Sequence, residues 1–231
     1  GISSHLIALY LKERCVDPRD LTAAAIAAAR RRGIDFSSGD HVLGVEVTNG
    51  FASGIRTNKT RFGAGMITNC AGAWAGQIGP HPLPTRPVKG QMLCVIMPEK
   101  EMVRHVVRTP DVYLIPRSDG RMLVGATSEE AGFDKQTVPE TIQQLRQAAL
   151  DLVPRLAEAR TLEAWAGLRP GTPDGLPILG ATATPGYFLA TGHFRDGILL
   201  APITAKVMAQ CMTGQQPIIG VSNFSANRFA D

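Results

Sequence analysis

The chain of 231 residues carries 24 Lys and Arg against 20 Asp and Glu, a formal charge of +4, and is 44% hydrophobic, which suits one large or two small soluble domains and makes disorder not the default reading. Its basic residues are spread out apart from Arg30, Arg31 and Arg32, so no nucleic-acid stripe is signalled, and Cys15, Cys70, Cys94 and Cys211 form no CxxC, which argues against a zinc site or a disulfide scaffold and fits a reducing cytoplasm. No apolar run reaches the roughly 18 residues of a membrane span, and the opening GISSHLIALYLKERC is interrupted by charge too soon to be a membrane helix or a signal peptide.

Asp17, Pro18 and Asp20 open a first helix: a capping side chain, a proline where no donor is needed, then an acid near the positive end of the dipole. The alanine-rich run that follows stops at Arg32-Gly33, with the arginines in the last turn facing the helix dipole. From Val42 the pattern turns to short β runs, VLGVEV, an Asn49-Gly50 turn and then MITNC. MITNCAGAWAGQIG passes from a strand through Ala71, Gly72 and Ala73 into a helix carrying Trp74, a turn where backbone N–H groups can approach a ligand.

Between Arg86 and Gly125 lie RPVKGQMLCVIM, HVVRT, VYLIPR and RMLVGAT, the last two joined by Ser118-Asp119-Gly120 as a hairpin. Thr137, Pro139 and Glu140 cap a second helix with Ile142, Leu145, Ala149 and Leu152 on one face, which predicts a sheet with helical cover. After Leu162 come glycine-rich turns and short apolar runs, then a final helix from about Pro202 to Met212 closed by Gly214. The first 80 and last 70 residues read as one domain interrupted by the strand-rich middle.

Three positions offer chemistry. Arg169, in AGLRPGTPDGLPILG, is placed after an apolar strand and before an irregular loop, where a guanidinium can grip a carboxylate with two parallel hydrogen bonds; a surface arginine or a structural ion pair fits the same spacing. Arg195, in GHFRDGILLAP, lies between Gly192 and Gly197 just before a helix, an arrangement that serves an anion site or a plain helix-entry loop; the adjacent His193 has no metal-ligand partner at useful spacing. Tyr113, in VYLIPR, can present a phenol to a carboxylate or serve as half-buried packing. There is no GxSxG elbow and no HExxH, so serine-hydrolase and zinc-protease chemistry are demoted.

Taken together, EAWAGLRPGTPDGLPILG, YFLATGHFRDGILLAP, RPVKGQM, VYLIPR and VGAT, with VDPRDL and NCAGAWAG upstream, resemble the D-amino-acid oxidase superfamily and most of all the glycine oxidases of thiamine biosynthesis. The resemblance implies an α/β (α+β) fold: part of a glutathione-reductase-type FAD domain at 1–80 and 164–231, and an inserted mixed-sheet substrate domain at 81–163. It further implies FAD as cofactor and a small amino acid or amine with a carboxylate as substrate. Arg169 would bind that carboxylate, Tyr113 would assist, and Arg195 would sit close to flavin and substrate. Gly192, His193, Phe194, Gly197 and Ile198 would face the pyrimidine end of the flavin, Ala71 and Gly72 the FAD phosphates or ribose, and Val42 the adenine.

The family's reaction is oxidation of the Cα–N bond by hydride transfer to flavin, giving an imine that water hydrolyses. The family also opens with a strand–GxGxxG–helix unit, and no segment before Val16 can be that unit, so the chain reads as a fragment or a truncated paralogue that alone binds FAD weakly or not at all. Ser128 stands where a bulkier apolar residue is common in glycine oxidases, leaving room for larger substrates; sarcosine and D-amino acids remain open, as do a quinone acceptor and a non-catalytic binding role. Apolar surface left uncovered would favour a homo-oligomer.

Overall fold

The computed structural model describes residues 9–12 and 14–229, which divide into unit 1, residues 86–170, and unit 2, residues 9–85 with 171–229. Residues 1–8, part of the opening stretch considered for a membrane helix, lie outside the described residues. Among those described, no helix is long and apolar enough to cross a membrane.

Unit 2 begins with α1 (Pro18–Arg31), where Asp17 accepts the Arg19 N–H at 2.9 Å and the chain leaves the helix through Gly33 at φ 76°. β1 (Val42–Thr48) and β2 (Phe51–Thr57) pair antiparallel across Asn49 and Gly50, whose φ values of 51° and 83° are those of the turn that Asn-Gly favours. β3 (Arg61–Gly63) extends this sheet beside β2. β4 (Ile67–Asn69) leads into a 3-10 turn at Gly72–Trp74 and then a single helical turn, α2 (Ala75–Ile78), smaller than the helix expected around Trp74.

After unit 1 the chain returns through β10 (Ile178–Ala181), β11 (Tyr187–Thr191) and α4 (Gly197–Met212). β11 pairs antiparallel with β10 and parallel with β4, so this sheet is mixed. Ile178, Tyr187 and Leu189 pack with Ala52 of β2 in one cluster, while Leu179 and Phe188 pack with Met208 of α4 in another. The expected start of α4 at Pro202 is corrected to Gly197. Leu200 already donates to the Asp196 carbonyl at 2.8 Å, so helical bonding starts upstream and the proline gives up one bond inside the helix.

Unit 1 holds β5 (Arg86–Ile96), β6 (Val107–Arg108), β7 (Tyr113–Pro116), β8 (Arg121–Gly125), α3 (Pro139–Leu152) and β9 (Arg160–Gly171), whose residues through Pro170 belong to this unit. The sheet order is β6-β7-β8-β5-β9, and β6–β7, β7–β8 and β8–β5 are antiparallel. Gly120, at φ 93°, closes the β7–β8 hairpin. Alternation sends Leu93, Val95, Leu114, Met122 and Val124 to the face that meets Leu145, Ala149 and Leu152 of α3. Thr137 does not cap α3: the capping position is Val138, which makes no side-chain cap bond, and its own N–H donates to Gln91 Oε1 at 2.7 Å.

Candidate active site

The other face of the unit 1 sheet carries two of the residues singled out from sequence. Tyr113 lies directly across from Gly125, and Gly125 directly across from Met92, so the three form a row over β7, β8 and β5. The Tyr113 phenol leans over Gly125 and its hydroxyl reaches Met92 Sδ at 3.6 Å; a Cβ on Gly125 would stand 2.8 Å from that hydroxyl oxygen and 2.9 Å from Met92 Cε. Two residues back along β5, Gly90 shares this face, a step of roughly 7 Å.

The Arg169 guanidinium lies over Gly90. Nη1 donates to the Thr127 carbonyl at 3.0 Å and, more weakly, to the Lys89 carbonyl at 3.5 Å. Arg169 is inside β9 instead of following a strand, a correction to the turn suggested by Pro170 and Gly171. β9 is the edge strand of its sheet, where a proline without an N–H is tolerated.

Behind the guanidinium, a partly buried polar network fixes the segment after β8 that supplies the Thr127 carbonyl. Lys89 and Glu129 exchange backbone bonds at 2.9 Å each, and Gln91 donates to the Glu129 carboxylate at 3.0 and 3.1 Å. The Gln91 N–H donates to Thr127 Oγ1 at 2.8 Å, and that hydroxyl in turn bonds the Glu129 carboxylate. The ammonium of Lys89, only 1% exposed, meets Asp134 at 2.7 Å and holds its carboxyl below the usual range.

Unit 2 places the remaining residues. Parallel β4 and β11 end at Asn69 and Thr191, so the loops that follow emerge at the same carboxyl edge, where sheets of this kind bind ligands. Asn69 shapes the first loop by accepting the Ala71 N–H at 3.0 Å and donating to the Ala75 carbonyl at 3.0 Å and the Tyr187 hydroxyl at 2.8 Å. Thr191 ties the two loops together by donating to the Gly72 carbonyl at 3.0 Å. Val42 opens β1 in the separate β1-β2-β3 sheet and is not part of this edge.

In the second loop Gly192 takes φ 76° against Thr172, where a Cβ would meet Cγ2 at 2.7 Å, and Phe194 takes φ 49° although it is not glycine. Arg195 is exposed and stacks on the Phe194 ring at 5.1 Å. His193 Nε2 and Thr204 Oγ1 are 3.0 Å apart, and burial pushes the imidazole below its ordinary value, favouring the uncharged ring. Gly197 and Ile198 belong to the first turn of α4 and not to the loop.

The opening turn of this 16-residue helix has no side-chain cap bond, and Ile198 and Leu199 beside it are exposed. Backbone donors at the positive end of a dipole, next to apolar surface, fit the electron-rich edge and flat face of a flavin ring, and Gly192, His193, Phe194, Gly197 and Ile198 are the residues that would hold it. Sequence reasoning missed Gly90 and Gly125, although a lone glycine inside each of two strand patterns marked a close approach. The bonds from Asn69 to Tyr187 and from Thr191 to Gly72 carried no local signal, because these partners lie far along the chain.

Comparison with known proteins bears on the fold and the family of the chain. The model of the family "FAD dependent oxidoreductase" (DAO) matches residues 3–211. The bifunctional protein ThiO/ThiG of Trichormus variabilis is 39% identical over 223 residues, covering 95% of this chain and 34% of its own length. A glycine oxidase of Pseudomonas aeruginosa is 39% identical over 185 residues, covering 78% of this chain and 48% of its own. The crystal structure of glycine oxidase from Geobacillus kaustophilus superposes with a TM-score of 0.86 at 31% identity, over 92% of this chain and 58% of that one. The chain thus spans between about a third and somewhat over half the length of these relatives. It belongs to the DAO family of FAD dependent oxidoreductases.

Proposed function

We propose that this chain provides the substrate clamp and part of the cofactor-binding fold of a flavoenzyme that oxidises a small amino acid, glycine first among the candidates, at its Cα–N bond. The observation that carries the reading is the placement of Arg169 and Tyr113 on one face of the unit 1 sheet, each lying over a strand glycine. Relatives named glycine oxidase, and membership of an FAD-dependent family, support the choice of reaction and substrate.

In this reading the guanidinium of Arg169, its plane set by the Thr127 and Lys89 carbonyls, takes the substrate carboxylate with paired charge-assisted bonds. Tyr113 adds a hydroxyl donor to the same group. Bound FAD supplies the acceptor for the hydride that leaves Cα. Fixing the carboxylate fixes the direction of the Cα–H bond, so orientation is the main contribution of unit 1. The start of α4 favours negative charge on whatever ring edge it meets. Loss of hydride from Cα and of a proton from nitrogen leaves an imine, which water hydrolyses to an oxo acid and ammonia.

Anaerobic addition of glycine, sarcosine or D-alanine to the FAD-bound protein tests this through the visible flavin bands. Bleaching by one or more of them, and by none of the matching amines without a carboxylate, supports the reading. Unchanged bands with all of them, in a protein that retains its flavin, would replace it with a non-catalytic binding role.

A further inference from the structure

Glycine in a strand interior gives up packing and costs backbone entropy. β5 nevertheless holds Gly90 between Lys89 and Gln91, which are 1% and 0% exposed. Gly90 is not among the residues with positive φ, so the backbone itself does not demand glycine. Space does. A Cβ at this position would stand 2.4 Å from both Nη atoms of Arg169 and 2.5 Å from its Cζ, against an ordinary contact of about 3.5–4 Å. The guanidinium is the far end of a flexible side chain, whereas Gly90 is fixed in the middle of a strand, so a methyl group here would move the arginine and leave the sheet in place.

We infer that Gly90 is a positioning residue for the substrate clamp: its missing side chain is the seat on which the Arg169 guanidinium lies flat, within reach of the Thr127 and Lys89 carbonyls. This rests on the reading of Arg169 as the carboxylate clamp. Gly90→Ala lifts the guanidinium off those carbonyls by an ångström or so, a displacement that can cost on the order of 100-fold in kcat/KM.

The test compares Gly90→Ala, Arg169→Ala and the double variant in the FAD-bound protein, with glycine and with glycine ethyl ester, which lacks the carboxylate charge. The expected result is that Gly90→Ala raises KM for glycine and lowers kcat/KM by about 100-fold, leaves the ester nearly unaffected, and adds nothing to the loss already caused by Arg169→Ala. Equal losses with glycine and ester, or a kcat/KM for glycine within about twofold of the parent, would overturn the inference. Arg169→Ala reports separately on the clamp: if it leaves KM for glycine unchanged, the clamp reading falls and the seat with it. Should Gly90→Ala fail to fold, the double variant decides. Folding restored once the guanidinium is gone supports the seat, and failure of both shows that the strand itself requires the glycine.

Discussion

Each unit has a helix of 14 residues that opens on a proline, and the two helices end up in different surroundings. In unit 1, α3 buries Leu145, Ala149 and Leu152 against a sheet whose inner face is Leu93, Val95, Leu114, Met122 and Val124. In unit 2, α1 has no buried residue; Leu21 is 39% exposed, and Leu9, Tyr10, Leu11 and Val16 upstream are exposed as well. An apolar stripe shows that a helix has a face to bury, and only the partner element decides whether it is buried. Unit 1 contains the partner for its helix among its own residues. Arg169 and Tyr113, the proposed clamp, sit on a sheet whose opposite face is a packed core.

The comparison is broken most directly by cutting into that core. Leu145→Ala is expected to cost about 2–5 kcal/mol in urea denaturation, whereas Leu21→Ala on α1 is expected to stay within about 0.5 kcal/mol. Equal effects would show that α1 is packed as tightly as α3. Next in size, Gly125→Ala forces a methyl group against the Tyr113 ring and Met92; a cost of about 1–3 kcal/mol is expected, with a weaker grip on carboxylate substrates read as a rise in KM.

A smaller effect is expected in unit 2, where Arg228 bonds Asp174 at 2.7 Å and its guanidinium holds that carboxyl at about 2. Because the folded value is depressed, the pair's stabilisation is present above the ordinary carboxyl pKa of 3.8 and is lost as pH falls through about 2. The pair is partly exposed, so Arg228→Ala should cost no more than about 1 kcal/mol at pH 7, and the difference from the parent should vanish in melts near pH 2. A difference that persists there would mean that Arg228 acts through its bonds to the Ser225 and Leu176 carbonyls, at 3.1 and 2.9 Å, or through packing on Phe229, whose ring lies 4.2 Å from the guanidinium.

The legible features are those written in local chemistry. Asp17-Pro18 and Gly33 bound α1, Asn49-Gly50 makes the β1–β2 turn, and the spacing of Leu145, Ala149 and Leu152 marks the buried face of α3. Local signals misled at Thr137, because the bond made there comes from Val138 to distant Gln91, and at Pro202, because a long helix survives one missing donor. Arg169 and Tyr113 were recognisable as candidates from their motifs, but their shared face depends on the register of β7, β8 and β5 and on the lie of Arg169 from β9 over Gly90, which sequence spacing does not encode. The contacts that shape the unit 2 loops, Asn69 to Tyr187 and Thr191 to Gly72, join residues more than a hundred positions apart and left no local trace.

The most direct test of the central claim is the preference for glycine over glycine ethyl ester, measured as a ratio of kcat/KM in the FAD-bound parent and in Arg169→Ala. The account predicts a preference of about 100-fold or more in the parent, carried by the carboxylate, and its collapse toward unity in the variant. The same ratio in both proteins would contradict it and take the substrate clamp away from Arg169.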